Sequence, residues 1–207
     1  MSTLTVVPPF ASAAASPDSK DDISDDRGTI GSEEPALDAA AGTMTCHAEL
    51  THIRGSTERI GTLTIPLPSL PKNLGQLGVS VSVSVSRPAF FAWANKDFDE
   101  HADAHFLIQA YLLKGAYSLP LTAQGKSSAT VYAHKSTVND EGDDLATFGG
   151  AYQPDPDDEP VGGFTIKIVL TVEATGNTND GHGPCKHCAA GAVVYMAVTQ
   201  IACEVVE

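Results

Sequence analysis

The sequence predicts an all-β protein: an antiparallel sandwich or single jelly roll of about eight strands, preceded by a disordered acidic N-terminal tail. Three features of the 207-residue chain support this. Apolar and polar residues alternate in two long segments, short β-type runs punctuated by Gly and Pro follow residue 42, and the stretch before residue 42 is polar and acidic. A chain of this kind can cover the apolar face of one sheet with that of another.

The clearest strand signal is a run in which valine and serine alternate: Val79, Ser80, Val81, Ser82, Val83, Ser84, Val85 and Ser86. A period of two residues is typical of a strand with one buried and one solvated face. Residues 164–173 repeat the pattern with larger apolar side chains, and Val169 is the exception on the polar side. Both segments are therefore predicted to be strands with a core-facing side.

Further strands are predicted at residues 44–53, 58–67, 104–113, 117–121, 128–134 and 192–206. The last segment is apolar on both faces, and its valines favour a strand over a buried helix. Residues 88–104 are predicted to form a short helix or an irregular aromatic loop. Residues 135–163 are rich in Asp, Glu and Pro, which predicts a long exposed loop.

The chain divides into a tail, residues 1–42, and a β-sandwich domain, residues 43–207. Between residues 12 and 42 eight acidic residues are opposed only by Lys20 and Arg27. No helical or strand period is visible there, so ordering this segment would not compensate its loss of conformational entropy. We expect the tail to be disordered and dispensable for folding, either as a solubilising segment or as an acidic arm that docks on a basic partner.

Composition excludes several classes of function. Apolar residues make up 42% of the chain, enough for one core, and the net charge of −14 repels phosphate backbones. Direct nucleic-acid binding through the N-terminal arm is therefore disfavoured. No apolar run is long enough for a membrane-spanning helix, and the start lacks a basic region and is interrupted by Pro8 and Pro9. We expect a cytoplasmic protein, or a virion protein if it is viral, with reduced cysteines.

One cysteine pair has the spacing of half a zinc site. Cys185 and Cys188 are separated by two residues, His182 lies three positions earlier, and His47 or Cys46 is free to complete the set. Two thiolates at this spacing can chelate one zinc ion from a single turn. The alternative is a pair of ordinary thiols in a Gly-rich connection between strands. No cofactor is required by the sequence, and zinc is the one that it makes possible.

The segment His47-Ala48-Glu49, together with Pro184-Cys185-Lys186-His187-Cys188, resembles the paired signature of the zinc-dependent nucleoside and nucleobase deaminases. The resemblance implies that His47, Cys185 and Cys188 hold zinc and that Glu49 is the general acid and base. It also implies an α/β layer in which both motifs open helices, whereas the intervening residues here have β-type patterns. The alternative is a chance match of two short motifs.

Three other groups of residues are candidates for binding. A carboxylate cluster offers oxygen ligands for calcium, or is a solvated charge run: Asp155, Asp157, Asp158 and Glu159. His101 and Asp103 match the first part of an iron-binding facial triad, or are exposed loop residues. Four aromatic residues offer a platform for a ligand, or belong to the core: Phe90, Phe91, Trp93 and Phe98.

These observations favour a non-enzymatic protein that works through its surface, since no catalytic set is complete. The first hypothesis is a self-assembling shell subunit, which in architecture resembles the small jelly-roll coat proteins of icosahedral viruses. It implies a homo-oligomer or an assembly with protein partners, and no membrane. The runner-up is a binding module that holds a sugar, a peptide or a metal in the loops at the ends of the sandwich. A zinc-dependent deaminase is the third.

Overall fold

The computed structural model describes residues 2–24, 28–70, 74–154, 163–178 and 187–206. In these residues the chain forms two antiparallel β-sheets that pack face to face, a jelly-roll-like sandwich. The described part contains no helix long and apolar enough to cross a membrane. Its strands are β1 (Ser2–Val6), β2 (Ala14–Ile23), β3 (Thr29–Ile30), β4 (Glu33–Asp38), β5 (Thr43–Thr51), β6 (Gly55–Pro66), β7 (Gln76–Ala94), β8 (Glu100–Lys114), β9 (Tyr117–Pro120), β10 (Thr122–Gly125), β11 (Ser128–His134), β12 (Thr137–Asn139), β13 (Gly142–Tyr152), β14 (Phe164–Thr178) and β15 (Cys188–Val206).

The larger sheet has nine strands and runs in the order β10-β13-β7-β15-β5-β3. Three further short strands belong to this sheet: β1 pairs with β15, β12 pairs with β7, and β4 pairs with β5. The smaller sheet has six strands in the order β11-β8-β14-β6-β2, with β9 paired to β8. The prediction of an antiparallel β-sandwich is confirmed, although the described residues form more strands than the pattern predicted.

The core lies between the sheets and is built from alternate residues of the long strands. The valines of the Val-Ser run in β7 are buried, whereas its serines lie on the outer face, as the alternation predicts. In β14 the side chains of Phe164, Ile166, Ile168 and Leu170 are buried in the same way. At about 25 cal/mol per Å² of apolar surface removed from water, this layer is the main source of stability.

Most of residues 88–104 is strand, with a short connection at residues 95–99, so the prediction of a helix or an irregular loop over the whole range is wrong. Strand β7 continues through Pro88 to Ala94, and β8 begins at Glu100. Proline lacks the amide N–H that a sheet ladder needs, so it is tolerated in a strand only at an irregular position. Pro88 occupies such a position, because β13 gives way to β12 on one side and β15 shifts register between Val193 and Tyr195 on the other.

The prediction of a disordered tail is also wrong. β1 pairs with β15, β2 pairs along β6, and β3 and β4 pair with β5, so the N-terminal segment supplies strands to both sheets. Phe10 is buried against Gly42, where a Cβ atom would lie 2.5 Å from the phenyl ring. Gly42 has φ = 69°, a conformation that glycine adopts without strain.

The tail is fixed partly by a charge pair that composition alone does not reveal. Arg59 of β6 points into the sandwich, and its guanidinium donates to Asp21 of β2 with N···O distances of 2.8 and 3.4 Å. The Thr57 hydroxyl donates to the same carboxylate. The hydrogen bond from Arg59, followed by that from Thr57, holds the pKa of Asp21 below its ordinary value. An acidic residue of the predicted tail thus neutralises a buried cation.

A second buried arginine orders part of the segment that was predicted to be an exposed acidic loop. β12 and β13 lie within residues 135–163, so the prediction of one long loop is wrong. Arg87 donates to the Asp140 carboxylate at 2.7 Å and to the Asp144 carboxylate at 2.5 Å, and Lys126 lies 2.9 Å from Asp140. The Arg87 guanidinium also lies over the rings of Phe90 and Phe106. Two acidic residues of this segment are therefore ion-paired.

Asp21→Asn tests whether the N-terminal segment is part of the folded domain. The substitution leaves the Arg59 charge buried without its partner, so we expect a loss of about 2 kcal/mol in the free energy of unfolding at pH 7. Because the pKa of Asp21 is lowered on folding, its contribution exists above the ordinary value of 3.8 and disappears as the pH falls through the lowered value. The difference between wild type and variant, measured by urea unfolding, should therefore shrink in acid.

Asp18→Asn on the same strand is the matched control, because Asp18 is exposed and forms no ion pair with the described residues. Equal unfolding free energies for wild type and Asp21→Asn at pH 7 would contradict the packing of β2 on β6.

Candidate functional site

The outer face of the nine-stranded sheet carries an open groove of about 500 Å³, the tyrosine groove. Ser84 and Ser86 of β7 form its floor, and Leu145 of β13 and Tyr195 of β15 stand on either side. Its remaining lining residues are Val85, Asp143 and Asp144. The groove follows a strand of small side chains that lies between two strands bearing larger ones.

Strand register determines this arrangement. Ser86 lies opposite Asp143 on one neighbouring strand and Tyr195 on the other, and Ser84 lies opposite Leu145 and Ala197. Directly opposed residues on one face have Cβ atoms about 5 Å apart. Leu145 is 74% exposed and Tyr195 40% exposed, whereas their neighbours in the chain Ala146, Val194 and Met196 are buried. Two large apolar side chains are thus held toward solvent by the same alternation that builds the core.

Some polar groups in the tyrosine groove form ion pairs or hydrogen bonds within the protein, and others do not. Asp144 is fixed by Arg87, and the Ser84 hydroxyl donates to the carbonyl of Ala197 at 3.4 Å. Asp143 is exposed and forms no ion pair with any described residue. The lining residues include neither histidine nor cysteine, so the groove holds no imidazole or thiol for nucleophilic catalysis. It offers an aromatic ring, hydroxyls and carboxylate oxygens to a bound ligand.

The four aromatic residues predicted as a platform are divided among three places. Phe90 is buried in the core with its ring edge-on to Phe106. Phe98 is stacked on His187, with ring centroids 3.8 Å apart. Phe91 and Trp93 lie on the outer face of β7, on the same side as the tyrosine groove. Only this last pair is placed as a surface platform requires.

His47 and Glu49 lie together on the outer face of β5. The His47 Nε2 atom is 3.3 Å from a carboxylate oxygen of Glu49. His47 pairs with Val193, five residues from Cys188, a separation of about 17 Å along β15. The Cys188 side chain points into the core instead. The structure therefore does not bring His47 and Glu49 to Cys188.

The cysteines fall into two groups. Cys188 is disulfide-bonded, so its sulfur offers no thiolate to a metal in this state, and the expectation of reduced cysteines fails for it. Cys46 and Cys203 are free and buried, and burial raises the pKa of the Cys46 thiol to about 12 and that of Cys203 to about 11. Both are therefore protonated and unreactive at neutral pH.

Several predicted ligands lie outside the described residues: His182, Cys185, Asp155, Asp157, Asp158 and Glu159. Within the described part of the chain, no group of three or more His, Cys, Asp or Glu side chains is arranged to hold a metal ion. Zinc binding through Cys185, and calcium binding through the carboxylate cluster, stay predictions.

His101 and Asp103 lie on the outer face of the other sheet, together with His105, because all three alternate with buried residues along β8. Glu173 lies opposite His105, and Tyr132 lies opposite Asp103. Burial raises the pKa of the Asp103 carboxyl, and the two neighbouring histidines oppose that shift. Asp103 forms no salt bridge with a described residue. The three side chains form a row of ionisable groups on this face.

No pattern in the sequence pointed to Tyr195 or Leu145 as site residues. Tyr195 stands in a segment apolar on both faces, where no period distinguishes outward from inward positions. Leu145 stands in a segment predicted to be a loop. The Val-Ser alternation did locate the serine floor, since it predicts which face of β7 is solvated.

No family model matches the sequence, and comparison with curated proteins finds no match. Among solved structures, the chain is similar to a xylan-binding module, CBM15, at 11% identity and a TM-score of 0.25, covering 95% of this chain and 97% of that one. A family 11 carbohydrate-binding module from Clostridium thermocellum has 9% identity, a TM-score of 0.28 and coverage of 95% and 94%. The family 11 xylanase from Neocallimastix patriciarum has 8% identity, a TM-score of 0.26 and coverage of 99% and 100%. Such values carry no argument about activity or ligand.

Asp103→Asn tests the electrostatics of the histidine row. Because folding raises the pKa of Asp103, its charged form destabilises the folded state at pH 7, and this cost disappears below the ordinary value of 3.8. The variant should gain at most about 1 kcal/mol at pH 7, after allowance for solvent screening, and nothing in acid. Thermal unfolding at both pH values measures the difference. Asp97→Asn, in the exposed loop before β8, is the control, and a less stable Asp103→Asn at pH 7 would refute the account.

Proposed function

We propose that the protein is a non-enzymatic saccharide-binding β-sandwich module whose ligand lies in the tyrosine groove. The observation that carries the proposal is the groove's composition. An exposed aromatic ring and an exposed aliphatic side chain face each other across a floor of hydroxyls, with a carboxylate free of ion pairs at one side. Ligand sites combine apolar walls with a few convergent polar groups in this way.

The chemistry of a sugar matches these groups. A pyranose ring has an apolar C–H face, which packs against an aromatic ring such as that of Tyr195, and a rim of hydroxyls that need both donors and acceptors. Ser86 supplies a hydroxyl that donates and accepts, and Asp143 supplies carboxylate oxygens that accept charge-assisted hydrogen bonds. The ligand therefore needs both an apolar face and many hydroxyl groups.

Charge argues for an uncharged sugar. Asp143 and Asp144 line the tyrosine groove, and the chain carries a net charge of −14. Anionic saccharides and phosphates would be repelled, both at the groove and at longer range. The two cations beside Asp144 are those of Arg87 and Lys126, and both are paired with Asp140 and Asp144.

The alternative of a self-assembling shell subunit receives less support from the surface. A stable interface needs a contiguous patch of several hundred Å² on each partner. The exposed large apolar side chains among the described residues are spread over both sheets, as Ile30, Tyr117, Tyr132, Leu145 and Tyr195 illustrate. The edge strand β2 is acidic and contains Pro17, features that discourage pairing with another sheet.

Isothermal titration calorimetry against a panel of uncharged gluco-, xylo-, manno- and galacto-oligosaccharides tests the proposal. We expect binding by the wild type and a loss of affinity of about tenfold or more in Tyr195→Ala, because the stacking surface is removed. Tyr132→Ala, which removes an exposed tyrosine from the other sheet, is the matched control and should bind normally.

The proposal would be contradicted if no member of the panel bound, or if wild type and Tyr195→Ala bound with equal affinity. Light scattering that finds closed particles at working concentration would restore the shell subunit to first place.

A further inference from the structure

The outer face that carries the tyrosine groove continues along β7 and β15 toward the opposite end of the sheet. Beyond Tyr195 the outward positions of β15 are Val193, Gly191 and Ala189, and those of β7 opposite them are Ala89, Phe91 and Trp93. From Tyr195 to Ala189 this strip is about 20 Å long at the rise of a β-strand. Apart from Phe91, the side chains between Tyr195 and Trp93 on this strip are small.

The ring of Phe91 lies over Gly191 of the neighbouring strand β15. A Cβ atom at Gly191 would lie 2.7 Å from Cε1 and 2.9 Å from Cζ of the Phe91 ring, so only glycine at position 191 lets the ring occupy this place. The ring therefore reaches over β15 from its own strand. It covers the backbone there and provides an apolar surface midway along the strip.

Trp93 marks the far end. Its indole packs edge-on against His52, with ring centroids 6.1 Å apart, and lines a second depression of about 270 Å³, the tryptophan pocket. Hydroxyl and amide groups suited to sugar hydroxyls share this pocket: Asn95, Ser136 and Thr137. The indole is thus bordered by polar groups, as Tyr195 is in the tyrosine groove.

Polar side chains also flank the strip between its two ends. Asn139 lies opposite Phe91 on β12, whereas His47 and Glu49 lie on β5 opposite Val193 and Gly191. These groups can donate to and accept from hydroxyls on both edges of a bound chain.

The charges along the strip suit an uncharged ligand throughout. The two lysines that line the tryptophan pocket, Lys96 and Lys135, are accompanied by Asp97 and Asp99, and Lys135 lies 3.8 Å from the Asp99 carboxylate. No excess of positive charge is available there for an acidic sugar, and Glu49 and Asp143 disfavour one elsewhere.

We propose that the tyrosine groove and the tryptophan pocket are two ends of one binding surface for a linear, uncharged polysaccharide, with Trp93 as its distal subsite. The inference rests on the proposed saccharide binding and adds to it the length of the ligand. A surface that follows the direction of the strands suits internal segments of a long chain as well as its ends. Affinity then increases with chain length until the ligand spans from Tyr195 to Trp93.

Trp93 is the only tryptophan in the sequence, so intrinsic fluorescence reports on the distal subsite without any substitution. The experiment titrates the full-length protein with oligosaccharides, from disaccharide to octasaccharide, of whichever uncharged series binds in calorimetry. Short members should bind without changing the tryptophan emission, and long members should shift or quench it. Long oligosaccharides that bind while the emission stays unchanged would overturn the inference.

Substitution at Trp93 provides the second arm. Trp93→Ala should reduce affinity for the longest oligosaccharide roughly tenfold while leaving affinity for the shortest ligand intact, and Trp93→Phe should restore most of the loss. Thermal unfolding of both variants verifies that the fold is retained. Equal losses for short and long ligands, or no loss for either, would refute a distal subsite.

The two proposals fail in different ways. Binding that depends on Tyr195 but not on chain length or Trp93 removes the distal subsite and leaves saccharide binding in place. No binding of any uncharged saccharide removes both. A concentration-dependent dimer that loses its affinity in Trp93→Ala would assign the strip to a second copy of the chain instead.

Discussion

The alternation of side chains along β7 and β15 is the constraint on which both the core and the candidate site depend. With a period of two residues, each strand that buries valines toward the second sheet must turn its intervening residues to solvent. A slip of one residue in the pairing of β7 with β15 would exchange the two sets and place Ser84 and Tyr195 in the core. The register that stabilises the fold therefore also assembles the groove, which needs no loop of its own.

Two buried arginines explain how so acidic a chain forms a sandwich. Arg59 and Arg87 each point into the structure, and each is neutralised by aspartates from segments whose composition predicts disorder or an exposed loop. Removing one partner of such a pair leaves a buried charge uncompensated, which is far more costly than losing a surface salt bridge. The aspartates of β2 and of the segment around β13 thus have a structural role. They hold β2 against β6, and β12 and β13 against β7.

The sequence was informative where one side of a strand differs from the other. The Val-Ser run and residues 164–173 predicted two central strands and their buried faces. The sequence was uninformative where pairing partners are far apart in the chain. Nothing local indicates that Asp21 pairs with Arg59, or that the acidic edge strand β2 is held in place by pairing with β6. For the same reason Tyr195 and Leu145 were missed, and of four predicted aromatic residues only Phe91 and Trp93 lie on the outer face of the large sheet. Position on a face is set by register, which composition does not encode.

The proposed ligand lies on a sheet face, whereas binding modules of this architecture can equally use the loops at the ends of the sandwich. Amide chemical-shift mapping of isotope-labelled protein during titration with an uncharged oligosaccharide separates the two most directly. For a ligand in the tyrosine groove, we expect the largest shifts on β7, β13 and β15, near Ser84, Leu145 and Tyr195. Shifts confined to the end loops, or to the outer face of the six-stranded sheet around His101 and Asp103, would contradict it.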